Sequence, residues 1–143
     1  MSPALHLVVI DDDPNLRESL AEGLPMFGNF TVQQANDGIE GLTFISTQHP
    51  DCVIVDIRMP RLDGYQLVRA IRGDPETSDI PLIMLSALSQ DIDRLAGLLS
   101  GADLYLYKPV MLETLVRAIQ ESVRISREER IKRTLTLSEG EVV

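Results

Sequence analysis

Cys52 to Gly64 reads CVIVDIRMPRLDG. Its first four residues are all apolar, and three of them are β-branched. A run this short, with no polar alternation, predicts a strand buried on both faces. Asp56 closes the run. An acid placed directly after a buried strand is poorly sited as an ordinary turn former. Arg58 to Gly64 is then loop chemistry, with a proline and an Asp-Gly pair. Leu67, Val68 and Ile71 follow at helical spacing.

The same alternation extends in both directions. Upstream, Leu5 to Ile10 (LHLVVI) predicts a strand, and Asp11, Asp12 and Asp13 follow it. Leu16, Leu20 and Leu24 mark a helix, with Asp13 as N-cap and Pro14 in the first turn. Phe30 to Ala35 (FTVQQA) alternates as a strand near a sheet edge does. Ile39, Leu42 and Ile45 mark a second helix after Asp37-Gly38. Downstream, Asp74 to Pro81 is a loop, and Leu82 to Leu85 (LIML) is a buried strand ending in Ser86. Ile92, Leu95, Leu98 and Leu99 mark a fourth helix, with Gly101 as its C-terminal cap. Leu104 to Tyr107 (LYLY) is the fifth strand. Leu112, Leu115, Val116, Ile119 and Val123 form the fifth helix. Five strand–helix units in strict alternation predict a parallel sheet with helices on both faces.

In open α/β sheets, ligands bind beyond the carboxyl ends of the strands, where the strand order reverses. Those ends carry Asp11, Asp12 and Asp13, then Asp56, then Ser86, then Lys108-Pro109. In a 2-1-3-4-5 order, four of the five strands bring these groups to one edge. Clustered carboxylates repel, and protonation or a cation relieves them. A hard divalent ion such as Mg²⁺ suits carboxylate and carbonyl oxygens and bridges to phosphate. A carboxylate can attack phosphorus to give an acyl phosphate. A lysine and a serine hydroxyl can hold phosphoryl oxygens. Lys108 is the only lysine before Lys132. The set reads as a phosphoryl-accepting site with Asp56 as acceptor.

The motifs VVIDDDP, VIVDIRMPRLDG, PLIMLSA and GADLYLYKP, in that order over residues 4–124, resemble the receiver domain of bacterial two-component response regulators. The resemblance implies an α/β, flavodoxin-like (βα)5 fold with a five-stranded parallel sheet in order 2-1-3-4-5. It implies that Asp11 and Asp12 form the acidic metal pair and that Asp56 is the phosphoacceptor. Arg58 occupies the position whose backbone carbonyl completes a Mg²⁺ or Mn²⁺ site. Ser86 matches the switch hydroxyl and Lys108 the family's lysine, with a cis bond usual before the next proline, here Pro109. Tyr105 matches the aromatic switch position. Arg58 and Leu88 fill variable positions that tune autodephosphorylation, and Val110 replaces the common Phe. The implied partner is a sensor histidine kinase or phosphotransfer protein. Homodimerisation through helix four, strand five and helix five is common in the family. Such a protein is no enzyme beyond assisting its own phosphorylation and dephosphorylation.

Composition sets the frame. The 143 residues hold 13 Lys+Arg and 22 Asp+Glu, a net charge of −9. Residues 1–123 hold 8 basic and 18 acidic side chains, a net of −10, so residues 1–124 are not expected to bind nucleic acid through a basic surface. No run approaches the roughly 20 apolar residues of a membrane span. The N-terminus has no signal-peptide pattern, and the single cysteine, Cys52, fits a reducing cytoplasm. His6 and His49 have no metal-ligand partners at suitable spacing.

Residues 1–124 are expected to form the receiver unit, and 125–143 a helical extension or linker. Ser138 and Glu141 have capping-box spacing. LTLSEGEVV also resembles the opening of a helix-turn-helix output domain, so a longer regulator is expected. One competing reading is a phosphatase of the haloacid-dehalogenase type with Asp11 as nucleophile, fitting its D-x-D opening, although Asn15 stands where that family has Thr or Val. Another is a pseudo-receiver that binds partners without phosphorylation. The absence of G-x-x-x-x-G-K-S/T excludes a P-loop hydrolase.

Overall fold

The structure is a computed structural model and describes residues 3–57, 62–87, 91–124 and 132. Arg58 and Leu88 lie outside the described residues, as does the 125–143 segment except position 132. The elements alternate without exception: β1 (Leu5–Ile10), α1 (Pro14–Phe27), β2 (Phe30–Ala35), α2 (Gly38–Gln48), β3 (Cys52–Asp56), α3 (Gly64–Gly73), β4 (Leu82–Ser86), α4 (Asp91–Ser100), β5 (Leu104–Tyr107) and α5 (Leu112–Arg124). All strand pairings are parallel, and the sheet order is β2-β1-β3-β4-β5. This is the flavodoxin-like order, with its reversal between β1 and β3.

Side chains of successive strand residues point to opposite faces, and two cores follow. Val8, Ile10, Val53, Val55, Leu82, Met84 and Tyr105 pack against α2, α3 and α4 through Ile45, Leu67, Val68, Ile71 and the partly buried Leu98. Leu7, Val9, Cys52, Ile54, Ile83 and Leu85 pack against α1 and α5 through Leu20, Leu24, Leu115 and Ile119. The central strands β3 and β4 are buried at every residue, which explains their uninterrupted apolar runs. At the edge, β2 keeps Thr31 exposed and Val32, Gln33 and Gln34 half-buried.

Local chemistry sets the helix starts. Asp13 caps α1 by accepting from the Asn15 and Leu16 amides, and Asp37 caps α2 through Glu40. Asp63 and Gln66 form a reciprocal capping box at α3. Two features depart from pattern reading. α1 continues through Pro25 to Phe27, although proline lacks the amide for the helical bond. His49, not a glycine, takes the left-handed position after α2, with φ 47°. At the end of α4, Gly101 supplies positive φ at 121°.

A half-buried staple fastens the far ends of the helices. Arg72 donates to the carbonyls of Gly101 (2.8 Å), Ser78 (3.0 Å) and Ile80 (2.6 Å). It also pairs with Asp103 at 3.1 Å, whose carboxylate accepts from the Leu82 amide at 2.8 Å as well. The 74–81 loop and the α4–β5 turn are thereby tied to α3. Among the described residues, no helix is long and apolar enough to cross a membrane.

Candidate functional site

The carboxyl ends of β1 and β3 are neighbours because β1 pairs with β3 in register Ile10 to Val55. Asp11 therefore follows one strand while Asp56 ends the other, on adjacent chains. One carboxylate oxygen from each of Asp11, Asp12 and Asp56 lies within 4.8 Å of the others. Asp11 and Asp56 are buried and Asp12 is exposed. The cluster is thus walled by protein on one side and open to solvent on the other.

Lys108 reaches it from the end of β5. Its Nζ lies 3.1 Å from Asp11 Oδ2 and 3.1 Å from Asp56 Oδ1. The peptide between Lys108 and Pro109 is cis. The Lys108 amide donates to the Ser86 carbonyl at 2.7 Å, which joins the lysine to the end of β4. Ser86 is itself buried, at the end of the strand beside β3. Tyr105 lies one pleat repeat earlier on β5, paired with Met84, and is buried. The strand period places Ser86 and Tyr105 on the sheet face covered by α3 and α4. Tyr105 and Tyr107 make an edge-to-face pair with centroids 5.5 Å apart. Tyr107 is the exposed member.

Electrostatics mark the site as strained by like charge. Burial raises the Asp56 pKa above its ordinary 3.8, and the Asp11 carboxylate raises it further, against an opposing pull from Lys108. Burial pulls the Lys108 pKa down, yet its contacts with Asp11 and Asp56 outweigh that and hold it above 10.5. A buried carboxylate that favours its proton is one that a second cation would relieve. The donors are hard oxygens, which fit Mg²⁺ or Mn²⁺.

The structure brings together Asp11, Asp12, Asp56 and Lys108, with Ser86 next to them in the sheet and Tyr105 deeper. Asp13 stands apart as the helix cap. The Asp11-nucleophile reading finds little room: Lys108 holds one Asp11 oxygen, and the Asp13 amide donates to the other at 2.9 Å. The second acid of its D-x-D pair is engaged in capping. One residue that spacing does not single out is Arg17. It is the only Lys or Arg in the first 57 residues. Its Nη1 donates to the Asp11 carbonyl at 2.7 Å.

The class this defines is a flavodoxin-like domain with three acids and a lysine gathered at the carboxyl edge of its sheet. A match to the response regulator receiver domain spans residues 7–120. The chain is 39% identical over 126 residues to response regulator MprA of Mycobacterium tuberculosis, covering 88% of this chain and 54% of that protein. The Francisella response regulator 1452 receiver domain superposes with a TM-score of 0.78 at 30% identity, covering 84% of this chain and 97% of that one. Chemotaxis protein CheY4 of Vibrio cholerae gives 0.77 at 28% identity, covering 85% and 99%. The chain belongs to the response regulator receiver domain family of two-component systems. It spans about half the length of the curated relatives it matches.

Proposed function

We propose that residues 1–124 accept a phosphoryl group on Asp56 and relay that event to an output. The observation that carries the reading is Lys108 bridging Asp11 and Asp56 at 3.1 Å each, beside the third acid, Asp12. The donor is a phosphohistidine on a sensor kinase or phosphotransfer protein, or a small acyl phosphate. An Asp56 oxygen attacks phosphorus and forms a C–O–P bond as the P–N bond to the donor imidazole breaks. The imidazole leaves with that bonding pair.

Asp11, Asp12 and Asp56 would hold Mg²⁺ or Mn²⁺, with the Arg58 carbonyl as a further donor assigned by family resemblance. When bound, the ion supplies positive charge against the phosphoryl oxygens. Lys108 supplies a second positive charge at the same place. The Ser86 hydroxyl would bond a phosphoryl oxygen, and Tyr105 would adjust behind it. Leu95 and Leu99 on α4 and Tyr107 on β5 are exposed apolar side chains. They make the α4–β5–α5 side the surface on which an output partner or second copy would register the change. The 125–143 segment would join this unit to that output, and the setting would be cytoplasmic.

Incubation with acetyl phosphate and Mg²⁺ tests the acceptor. Wild type and Asp11→Asn should differ in rate, while Asp56→Asn should form no acid-stable, hydroxylamine-labile acyl phosphate. Full yield from Asp56→Asn would refute the assignment. No acyl phosphate on wild type from acetyl phosphate or a kinase would leave the pseudo-receiver reading.

A further inference from the structure

Arg17 lies in the second turn of α1, beside the acidic cluster but not aimed at its carboxylates. Its Nη1 donates to the main-chain carbonyl of Asp11 at 2.7 Å, and its Nε donates to Gln34 Oε1 at 3.2 Å. The Asp11 amide meanwhile donates to the Ala35 carbonyl at 3.3 Å. Asp11 is therefore gripped at both ends of its backbone, on one side by β2 and on the other by α1. The planar guanidinium makes the two contacts at once, which an ammonium on a flexible stem does not do.

This arrangement has an electrostatic oddity. A fixed positive charge near a divalent cation site should weaken cation binding by repulsion. Here that charge is spent on a carbonyl, and both Asp11 oxygens stay with the Lys108 and Asp13 contacts. The β1–α1 turn carries two of the three clustered acids, Asp11 and Asp12. Holding its backbone fixes how far those two carboxylates stand from Asp56.

We infer that Arg17 is a positioning residue for the cation site: its guanidinium locks the Asp11 backbone so that Asp11, Asp12 and Asp56 converge. The inference rests on the divalent-cation reading above and adds a residue to it. Position and charge make opposite predictions. If Arg17 acts through its charge, Arg17→Met tightens cation binding. If it acts by position, Arg17→Met weakens binding although a positive charge has gone. Loss of a residue that orients ligands in this way typically costs about 10–100-fold in metal affinity.

The experiment measures the dissociation constants of Mg²⁺ by calorimetry and of Mn²⁺ by the electron paramagnetic resonance of the free ion. It uses the unphosphorylated full chain. Arg17→Met should bind both ions roughly tenfold or more weakly. Arg17→Lys should fall between Arg17→Met and wild type. An Arg17→Met constant equal to or tighter than wild type overturns the inference, whatever happens to stability. If Arg17→Met does not fold, Arg17→Gln is read by the same criterion. Wild type that binds neither ion would instead refute the cation site itself, a separate outcome.

Discussion

Gly64 sits at the first turn of α3, where the chain returns to β3, and its amide donates to the Ile57 carbonyl at 2.9 Å. A Cβ added there would lie 2.7 Å from the Asp56 carbonyl oxygen and 2.7 Å from the Ile57 Cα. Both are backbone atoms, at the last residue of β3 and the residue after it, so no side-chain rotation relieves the clash. Overpacking of this kind costs about 1–3 kcal/mol, and a backbone contact belongs at the upper end. Gly73 closes the same helix, with nothing within 4 Å of its added Cβ. Replacing glycine by alanine restricts the unfolded chain in both variants, a gain of about 0.4–1 kcal/mol each. That gain cancels in the comparison, so the gap between Gly64→Ala and Gly73→Ala isolates the clash. At roughly 3–4 °C per kcal/mol for a domain of this size, 2–3 kcal/mol separates their midpoints by about 6–12 °C. Thermal and urea unfolding would measure it, with an unchanged urea slope certifying two-state behaviour. The Mg²⁺-induced rise in midpoint should also shrink in Gly64→Ala and persist in Gly73→Ala, because only the former displaces Asp56. Equal midpoints for the two variants would refute the packing argument.

Other expectations follow from the same geometry. Asp56 binds its proton more readily folded than unfolded, so between pH 3.8 and its raised folded value stability falls as pH rises. Asp56→Asn should remove that fall and be more stable than wild type at pH 7 without Mg²⁺; parallel stability–pH curves would contradict this. Lys108 is raised, so its stabilisation is complete below 10.5 and lost as pH climbs through its folded value, which Lys108→Met should abolish in alkaline unfolding curves. Mg²⁺ at 100 times its dissociation constant should stabilise wild type by about 2.7 kcal/mol and Asp56→Asn by less; calorimetric midpoints unmoved by the ion would count against the site. A Cβ at Gly97 would fall 2.6 Å from the Tyr105 ring and 3.1 Å from Met84 Sδ. Gly97→Ala should therefore expose Tyr105, read from its ring signals in nuclear magnetic resonance. A ring still buried, with stability up by about 1 kcal/mol as helix propensity alone would give, would refute that.

The strands were legible because their signal is local. The central strands β3 and β4 are buried on both faces, so CVIV and LIML carry no polar interruption, while β1 breaks its apolar run only at half-buried His6. Asp56 and Ser86 stood out because they end such runs. What stayed hidden depends on contacts far apart in sequence. Arg72 reaches Asp103 across 31 positions, and nothing in the spacing of α3 distinguishes it from a solvated arginine. The alternation of LYLY places Tyr105 and Tyr107 on one face but carries no sign that their environments differ. That difference comes from α4, whose Gly97 lets the Tyr105 ring approach the helix. Arg17 escaped notice because its partner is a backbone carbonyl, which no side-chain motif records. The capping box at Asp63 and Gln66 had a readable D-x-x-Q spacing within RMPRLDGYQ.

On the proposed function, the cluster would make a cation and a phosphoryl group act together at this edge. Three carboxyl groups share one ammonium, and the Lys108 Nζ reaches Asp11 and Asp56. A phosphoryl group added to that charge would meet repulsion from Asp11 and Asp12. A divalent cation would remove most of it, so cation and phosphoryl group would each raise the other's affinity, by the reciprocity of linked binding. The phosphoryl group would then compete with the carboxylates for Lys108. Any shift of Lys108 towards it pulls on a residue whose amide is fixed to the Ser86 carbonyl at 2.7 Å. That bond joins the ends of β4 and β5, and Tyr105 lies two positions before Tyr107, the strand partner of Ser86. The far end of α4 is meanwhile fastened by Arg72 through Gly101. A change begun at Lys108 would therefore meet a fixed anchor at the C-terminal end of α4.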